Sequence, residues 1–173
     1  NQKGGVGKTT TVINLASALS QQNKKILVIY LDPQRNATTG LGLSNTEQSE
    51  KTIYGILNGT TPISSAIKKT NFKNLDLISS NVDLSGLEVE TAGDNDRAFI
   101  LKAKLTAYLN DSGASYDYIL IDCPPSLSLL TVMALVSSNS LLVPLQTEFF
   151  ALEGVTQLMK TIERIKVNLN PGL

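Results

Sequence analysis

The first ten residues hold the feature that most constrains the fold, a glycine-rich run flanked by lysines and threonines. Gly7, Lys8 and Thr9 match the second half of the general phosphate-loop pattern G-x-x-x-x-G-K-(S/T), while Gln2 stands in place of its first glycine. A loop of this kind joins a β-strand to the start of a helix. The sequence therefore predicts a sheet-and-helix fold in which residues 3–10 wrap the phosphates of a nucleotide.

Each residue type in this run has a chemical use toward a triphosphate. Backbone N–H groups must approach phosphate oxygens closely, which favours glycine at Gly4, Gly5 and Gly7. Lys8 would place a mobile positive charge on the β- and γ-phosphates, and the Thr9 hydroxyl is a hard oxygen ligand suited to Mg²⁺. The dipole of the following helix favours the same anion. The alternative, a plain glycine-rich turn, has no use for these lysines and this threonine.

Apolar runs and amphipathic segments alternate along the chain, which is typical of α/β proteins with a mostly parallel β-sheet flanked by helices on both faces. We predict helices over about 9–22, from about 97, over 129–136 and over 152–167, and strands at 26–31, 75–79 and 118–121. Short helical pieces are predicted at 53–57 and 63–68. Helical spacing predicts inward stripes at Val12, Leu15, Ala16 and Leu19 in the first helix and at Leu152, Val155, Leu158, Met159, Ile162 and Ile165 in the last.

Both ends of the chain suggest missing elements. A phosphate loop follows a strand, yet no strand precedes Asn1, and right-handed crossovers would put that strand in the middle of the sheet. Another strand is expected after Leu173. We therefore expect residues 1–173 to be a single truncated P-loop domain, a fragment lacking the first strand and the C-terminal part. A complete small domain is the alternative.

Two aspartates close predicted strands. Asp32 follows the run 26–31, and Asp122 follows four apolar residues as a Walker B aspartate does. In open parallel sheets, ligands bind beyond the carboxyl ends of the strands. Asp32 could then orient an attacking water molecule, and Asp122 could hold Mg²⁺ through water. The alternative for each is a structural turn, because both precede proline-containing turn sequences.

Composition narrows the class of protein. Fifteen Lys or Arg residues balance fifteen Asp or Glu residues, so bulk charge favours neither nucleic acid nor a membrane surface. Apolar runs are all too short to span a membrane. Cys123 is the single cysteine, which excludes an internal disulfide or a four-cysteine iron–sulfur cluster and fits a reducing cytosol. Because the sequence has no histidine, Cys123 is expected to be a small core residue rather than a nucleophile.

Four ordered blocks over nearly the whole chain resemble one family. The first, Lys3 to Thr10, is similar to the deviant Walker A loop K-G-G-x-G-K-(S/T) of the ParA/MinD superfamily of ATPases. The other blocks contain Asp32-Pro33-Gln34 with Asn36-Ala37-Thr38, Tyr116-Asp117 followed by Asp122-Cys123-Pro124-Pro125-Ser126, and residues 148–154. Together they resemble the ParA/Soj branch, the chromosome- and plasmid-partitioning ATPases.

The resemblance implies Mg²⁺-dependent ATP hydrolysis that drives a dimer switch in DNA partitioning. By position, Lys8 and Thr9 resemble the γ-phosphate lysine and the Mg²⁺ ligand, and Lys3 resembles a lysine that reaches the nucleotide of a partner subunit. Asp32 resembles a switch I residue needed for hydrolysis, and Asp122 resembles the Walker B residue. The resemblance thus assigns ATP binding to Lys3, Gly4, Gly5, Val6, Gly7, Lys8, Thr9 and Thr10, catalysis to Lys3, Lys8 and Asp32, and the metal to Thr9 and Asp122.

The resemblance also implies partners and a location. These are a homodimer in the ATP state, non-specific DNA of the nucleoid and a ParB-type activator protein, with no membrane and a cytoplasmic, nucleoid-associated location. The sequence offers basic residues for DNA in two places, Lys160, Arg164 and Lys166 on the last helix and Lys68, Lys69 and Lys73 earlier. For both groups, an ordinary solvated charged face is the alternative.

Two positions depart from the pattern of this branch. Tyr30 stands where an aspartate is common, and Arg35 replaces a frequent glycine. We expect these departures to bear on regulation rather than on ATP binding. Gln2 is itself usual for the ParA/Soj branch, whereas the MinD branch tends to have glycine there.

Three other functions fit the same loop. One is a MinD-like membrane-associated ATPase for cell-division site placement, whose C-terminal amphipathic helix would lie beyond Leu173. Another is a metabolic or electron-transfer enzyme such as nitrogenase iron protein, which needs two cysteines where this chain has only Cys123. The third is a non-catalytic nucleotide-dependent scaffold, which an ATPase assay would distinguish.

Overall fold

The computed structural model describes residues 5–33, 51–145 and 151–173, with the backbone alone for 151–153. These residues form one four-stranded sheet, whose strands in chain order are β1 (Ile26–Tyr30), β2 (Lys68–Lys69), β3 (Leu75–Ile78) and β4 (Tyr118–Asp122). Their order across the sheet is β2-β3-β1-β4. Strand β1 pairs in parallel with β3 and β4, while β2 pairs antiparallel to β3. The predicted mostly parallel sheet is confirmed.

Seven helices accompany these strands in the described residues. They are α1 (Lys8–Gln21), α2 (Ile53–Leu57), α3 (Ile63–Ala66), α4 (Leu87–Glu90), α5 (Ile100–Ser112), α6 (Leu129–Ser137) and α7 (Ala151–Asn168), with 3-10 turns at Val82–Gly86 and Arg97–Phe99. Of these helices, α2 to α5 lie between strands in the chain. The predicted helices agree with these bounds to within a few residues. The predicted helix at Arg97 begins as a 3-10 turn, and the piece predicted over 63–68 ends at Ala66, where β2 takes over at Lys68.

The apolar run of β1 is buried on both faces, as a central parallel strand requires. Ile26 and Val28 pack beneath α1 together with residues of β3, and Ala16 is the fully buried contribution of the helix. Leu27 and Ile29 face the opposite way, into a core that includes residues of α2, α3, α5 and α6. Because successive strand residues alternate between faces, one apolar run supplies both cores. The expected helices on both faces are therefore present.

The inward stripe predicted for α1 is only partly correct. Ala16 is buried and Val12 and Leu19 are partly buried, but Leu15 is 37% exposed. Leu15 lines a cavity of about 190 Å³ that also borders β4 and residues 141–144. Helical spacing identifies the apolar face of α1, but it does not show how fully the opposing surface covers each position.

The same cavity explains a second difference. Residues 118–121 are predicted to form a buried strand, yet Tyr118 is 47% exposed and Ile119, Leu120 and Ile121 are only partly buried. Strand β4 lies at the edge of the described sheet, so one side of its backbone has no neighbouring strand among the described residues. Only Asp122, at the end of β4, is buried, with 2% exposure.

The last helix packs on α6. Ile165 is buried against Leu135 and Val136, and Leu158 is buried as well. Met159, which is predicted to face inward, is instead 56% exposed. A single neighbouring helix covers a narrower stripe than a sheet does, which leaves the edge of the predicted face in solvent. The predicted inward side chain at position 152 lies outside the described side chains.

Strand β3 contains a buried charge that its sequence does not reveal. The alternation around Asp76 suggests an outward-facing side chain, but all four residues of β3 are buried. The Asp76 carboxylate accepts hydrogen bonds of 2.8 Å from the Tyr116 hydroxyl and from Lys69 Nζ. A buried carboxylate is tolerated when its oxygens are paired in this way.

The end of the chain is tied to α6 by one buried side chain. Asn170 Nδ2 donates to the carbonyl oxygens of Leu135 at 2.9 Å and Ser138 at 2.7 Å. Carbonyl groups in the last turn of a helix have no partner within the helix, so Asn170 satisfies acceptors at the end of α6.

We predict that Asn170→Ala lowers the free energy of unfolding by about 1–3 kcal/mol, because it removes two hydrogen bonds to carbonyl groups at the end of α6. Urea denaturation measures this loss. Asn168→Ala is the matched control, since its side-chain amide makes one exposed bond to the Arg164 carbonyl and its loss should cost less than about 0.5 kcal/mol. Equal losses in the two variants would contradict the assigned role of Asn170.

Candidate functional site

The loop before α1 has the backbone shape that glycine permits. Gly5 has φ of +78° and Gly7 has φ of +85°, both in the left-handed region that other residues avoid. An added Cβ would meet nothing within 4 Å at either position. Steric contact within the protein therefore does not require these glycines. The conformation requires them, and the space beside the backbone stays open to a ligand.

The start of α1 presents the positive end of the helix dipole without a capping side chain or an acidic residue of its own. Gly7 is the N-cap residue, no side chain caps the helix, and its first turn contains no acidic residue. The first intrahelical bond runs from the Thr11 amide to the Gly7 carbonyl at 2.8 Å. A helix start without an acidic or capping side chain is suited to bind an anion.

The hydroxyl of Thr9 joins this helix start to the end of the last described strand. Thr9 Oγ1 donates a hydrogen bond of 2.7 Å to Asp122 Oδ2, although 113 positions separate the two residues. The other carboxylate oxygen, Oδ1 of Asp122, is buried and has no hydrogen-bond partner within the described residues. The two residues predicted to hold a metal ion are therefore in direct contact.

Nearby charges act on Asp122 in opposite directions. Burial raises the pKa of this carboxyl above its ordinary value, and the negative charge of Asp32 raises it further. The hydrogen bond from Thr9 and the positive charge of Lys8 lower the pKa in part. Lys8, Thr9, Asp32 and Asp122 thus lie close enough to interact electrostatically, at the edge where the carboxyl ends of β1 and β4 meet.

Asp32 is held in place by a residue that the sequence did not single out. The Ser80 hydroxyl, which is 5% exposed, donates a hydrogen bond to the Asp32 carbonyl oxygen. Ser80 follows β3 at the same edge of the sheet. The sequence feature that could have identified Ser80 is its position just beyond β3, between the polar residues Ser79 and Asn81. Asp32 itself is partly exposed.

The donor set fits a magnesium ion with a nucleotide. A hydroxyl and a carboxylate with one unpaired buried oxygen offer hard oxygen ligands, which Mg²⁺ prefers. Magnesium is usually held by one or two carboxylates together with substrate phosphates and water. Among the described residues, no group of three His, Cys, Asp or Glu side chains could hold a metal without such help. The open glycine loop fits the phosphates that would complete the set.

Several predicted site residues are not in the part of the chain that the structure describes. Lys3 and Gly4 lie outside it, and so do residues 34–50, which include Arg35. Residues 146–150 are also outside it, and they include the start of the block 148–154. Of the remaining loop residues, Val6 is 7% exposed, and Thr10 is exposed on the first turn of α1. Their predicted contacts with a nucleotide remain predictions.

Cys123, which follows Asp122, is unsuited to act as a nucleophile. Burial, followed by the charge of Asp122, raises the pKa of its thiol to about 12. The thiol is therefore protonated at neutral pH and weakly nucleophilic. This agrees with its expected role as a small packing residue.

The two groups of basic residues differ in their surroundings. Lys160, Arg164 and Lys166 are all exposed on α7. In the earlier group, Lys69 is paired with Asp76 and Lys68 Nζ donates to Ser79 Oγ at 3.0 Å. The pairing favours a structural use for Lys68 and Lys69, whereas α7 presents its cations to solvent. None of the described helices is both long and apolar enough to span a membrane.

Comparisons with known proteins match the whole chain. A family model described as "AAA domain" matches residues 1–173. Chromosome partitioning protein ParA of Caulobacter vibrioides is 50% identical over 173 residues, which cover 100% of this chain and 64% of that protein. Sporulation initiation inhibitor protein Soj of Bacillus subtilis is 44% identical, with 100% of this chain and 66% of that protein covered. The chain thus spans less than two thirds of the length of these relatives.

Solved structures agree with this assignment. Cobyrinic acid a,c-diamide synthase from Mycobacterium smegmatis, with a bound ATP analog and magnesium, superimposes with a TM-score of 0.90 at 37% identity, covering 100% of this chain and 68% of that one. A putative plasmid partition protein from Borrelia burgdorferi B31, bound to AMPPNP, gives a TM-score of 0.78 at 35% identity, covering 98% of this chain and 67% of that one. On this evidence the chain belongs to the AAA domain family and is of the ParA/Soj type.

Proposed function

We propose that the protein containing this chain hydrolyses ATP with Mg²⁺ and uses the reaction to partition DNA. The contact between Thr9 and Asp122 carries the proposal, because it joins a glycine loop and helix start suited to phosphate with a pair of oxygen donors suited to magnesium. The partitioning proteins among its relatives support the biological role. We also infer that residues 1–173 belong to one P-loop ATPase domain.

The proposed chemistry is the attack of water on the γ-phosphorus of ATP. A new P–O bond forms while the bond to the β,γ-bridging oxygen breaks, ADP leaves with the negative charge on that oxygen, and the water passes one proton to the phosphate product. Thr9 and Asp122 would hold Mg²⁺, which when bound neutralises charge on the β- and γ-phosphates. Asp32 accepts a hydrogen bond from the attacking water and so orients it. Lys8 of the same chain and Lys3 of a second copy supply positive charge where negative charge builds up on the phosphate oxygens.

The proposed partners follow from the relatives and from one surface. ATP would join two copies of the chain, and hydrolysis would release them. The dimer would bind DNA without sequence preference, supported by the exposed cations of α7 at Lys160, Arg164 and Lys166. A ParB-type protein would stimulate hydrolysis, and the system would work in the cytoplasm on the nucleoid.

One structural likeness favours a second candidate. Cobyrinic acid a,c-diamide synthase, solved with an ATP analog and magnesium, has a TM-score of 0.90, against 0.78 for the plasmid partition protein. An ATP-dependent synthase acting on a small molecule is therefore a specific alternative. A phosphate-release assay on the full-length protein separates the two. Partitioning predicts ATP hydrolysis that DNA stimulates without any other substrate. A synthase, or a non-catalytic scaffold, predicts no such stimulation.

We predict that Thr9→Ala raises the Mg²⁺ concentration needed for ATP binding by roughly tenfold or more, because it removes a ligand and leaves Asp122 without its donor. Titration of Mg²⁺ against a fluorescent ATP analogue measures this change. Thr9→Ser keeps the hydroxyl and should restore most of the affinity. If Thr9→Ala behaves like Thr9→Ser, the hydroxyl is not a metal ligand.

Replacing Asp32 separates binding from turnover. Asp32→Ala should bind Mg²⁺ and ATP but hydrolyse ATP about a hundredfold or more slowly, since the attacking water loses its acceptor. The variant should therefore accumulate as an ATP-bound dimer, which light scattering detects. Asp111→Ala, at an exposed position on α5, is the control and should behave as wild type. Normal turnover in Asp32→Ala would assign the water to another residue.

Lys3 can be tested for action across the dimer. Lys3→Ala should keep ATP binding but lose roughly 10³-fold or more in turnover, the usual value of a cationic finger. Mixing it with Lys8→Ala subunits, themselves inactive, should restore turnover, because each mixed dimer has one site with both lysines. An absence of restoration while mixed dimers form would show that Lys3 acts within its own chain. Lys25→Ala, exposed at the far end of β1, is the control.

A further inference from the structure

Two buried polar atoms lie at the ends of neighbouring strands without a hydrogen-bond partner in the described part of the chain. They are the Tyr30 hydroxyl and Asp122 Oδ1, and each residue is only 2% exposed. A buried hydroxyl that makes no hydrogen bond carries a desolvation cost. Phenylalanine would fill the same apolar space without that cost. Packing alone therefore does not account for a tyrosine at this position.

The register of the sheet sets these two side chains beside each other. Tyr30 of β1 pairs with Asp122 of β4 in a parallel ladder, whose strands lie about 4.8 Å apart. Paired residues of parallel strands point to the same face of the sheet. Tyr30 packs on the face covered by α1, and Asp122 accepts its bond from Thr9 of α1 on that same face. Both residues with an unpartnered atom thus lie on the face of the sheet that α1 covers.

Electrostatics agree with this placement. Burial, followed by the negative charge of Asp122, raises the pKa of the Tyr30 hydroxyl. The phenol therefore stays protonated at neutral pH, as a donor facing an acceptor. The Asp122 carboxylate is already engaged at Oδ2 by Thr9, and its Oδ1 is the oxygen without a partner.

We propose that the Tyr30 hydroxyl is a positioning donor for Asp122, which it holds through Oδ1 in the orientation that binds magnesium. The inference rests on the proposed function, because it takes Asp122 to be a metal-holding residue. We infer that the hydroxyl and Oδ1 form a hydrogen bond when ATP and the cation engage Thr9 and Asp122, since the strand register sets the two residues side by side. The carboxylate is then fixed from two sides, by Thr9 of α1 and by Tyr30 of β1.

A donor of this kind has a distinct energetic signature. Because the hydroxyl makes no hydrogen bond to the described residues, its removal should leave stability without ligand unchanged or slightly higher. In the nucleotide complex it orients a metal-holding carboxylate, and the loss of such a partner lowers metal affinity by roughly 10- to 100-fold. A residue that only packs would show neither the loss of metal affinity nor its dependence on the ligand.

The test compares Tyr30→Phe with Tyr116→Phe in the full-length protein. Tyr116 is a matched control because its hydroxyl also donates to a buried carboxylate, Asp76, at the opposite end of the sheet. Two quantities are measured, the Mg²⁺ midpoint for binding a non-hydrolysable ATP analogue and the unfolding free energy without ligand. A third is the near-ultraviolet difference spectrum on adding Mg²⁺ and analogue, in which the tyrosine band of each variant is compared with that of wild type.

We expect Tyr30→Phe to raise the Mg²⁺ midpoint about tenfold or more without loss of stability, and to lose a tyrosine difference band that Tyr116→Phe retains. Tyr116→Phe should instead lose stability and keep the midpoint. If wild type binds the analogue with Mg²⁺ and Tyr30→Phe binds it with an unchanged midpoint, the role of Tyr30 is overturned while the proposed function stands. If wild type itself fails to bind, the proposed function is overturned and this inference with it.

Discussion

The hydrogen bond between Thr9 and Asp122 is the contact on which the site depends. It fastens the first turn of α1 to the carboxyl end of β4, and so holds the glycine loop against the edge of the sheet. The same edge carries Asp32 at the end of β1, because β1 and β4 run in parallel and end together. Parallel pairing therefore converts three distant stretches of sequence into one cluster of charges. If β4 ran antiparallel to β1, Asp122 would lie at the opposite end of the strands from Asp32.

The sequence predicts most of the fold because its signals are local. A continuous apolar run predicts a strand that is buried on both faces. The run 26–31 forms strand β1 over Ile26–Tyr30, and all five residues of this strand are buried. Leu15 and Met159 are predicted to face inward but are exposed, because helical spacing identifies the apolar face of a helix and not how fully neighbouring elements cover it. Asp76 and the two-residue strand β2 show the same limit. Their structure comes from pairing with residues distant in sequence, which no local pattern records.

The residues of the candidate site show the same difference between local and long-range signals. That Thr9, Lys8, Asp32 and Asp122 lie close together could be predicted, because a phosphate loop and strand-ending carboxylates have recognisable neighbours in sequence. The support of Asp32 by Ser80 could not be predicted, because it depends on how β3 ends relative to β1. Tyr30 stands out in sequence only as a departure from the family pattern. Its place beside Asp122 follows from a strand register that a single sequence does not contain.

The charge balance of the cluster explains why a cation belongs there. Asp122 is buried, and the negative charge of Asp32 adds to the cost of ionising it, while Lys8 and the Thr9 hydroxyl offset only part of that cost. A third carboxylate at position 30 would add to the repulsion, whereas the neutral phenol of Tyr30 does not. Under the proposed function, a divalent ion arriving with a nucleotide would relieve the repulsion between the two aspartates and pair with the phosphates at the start of α1. Binding of that complex would then stabilise the folded protein.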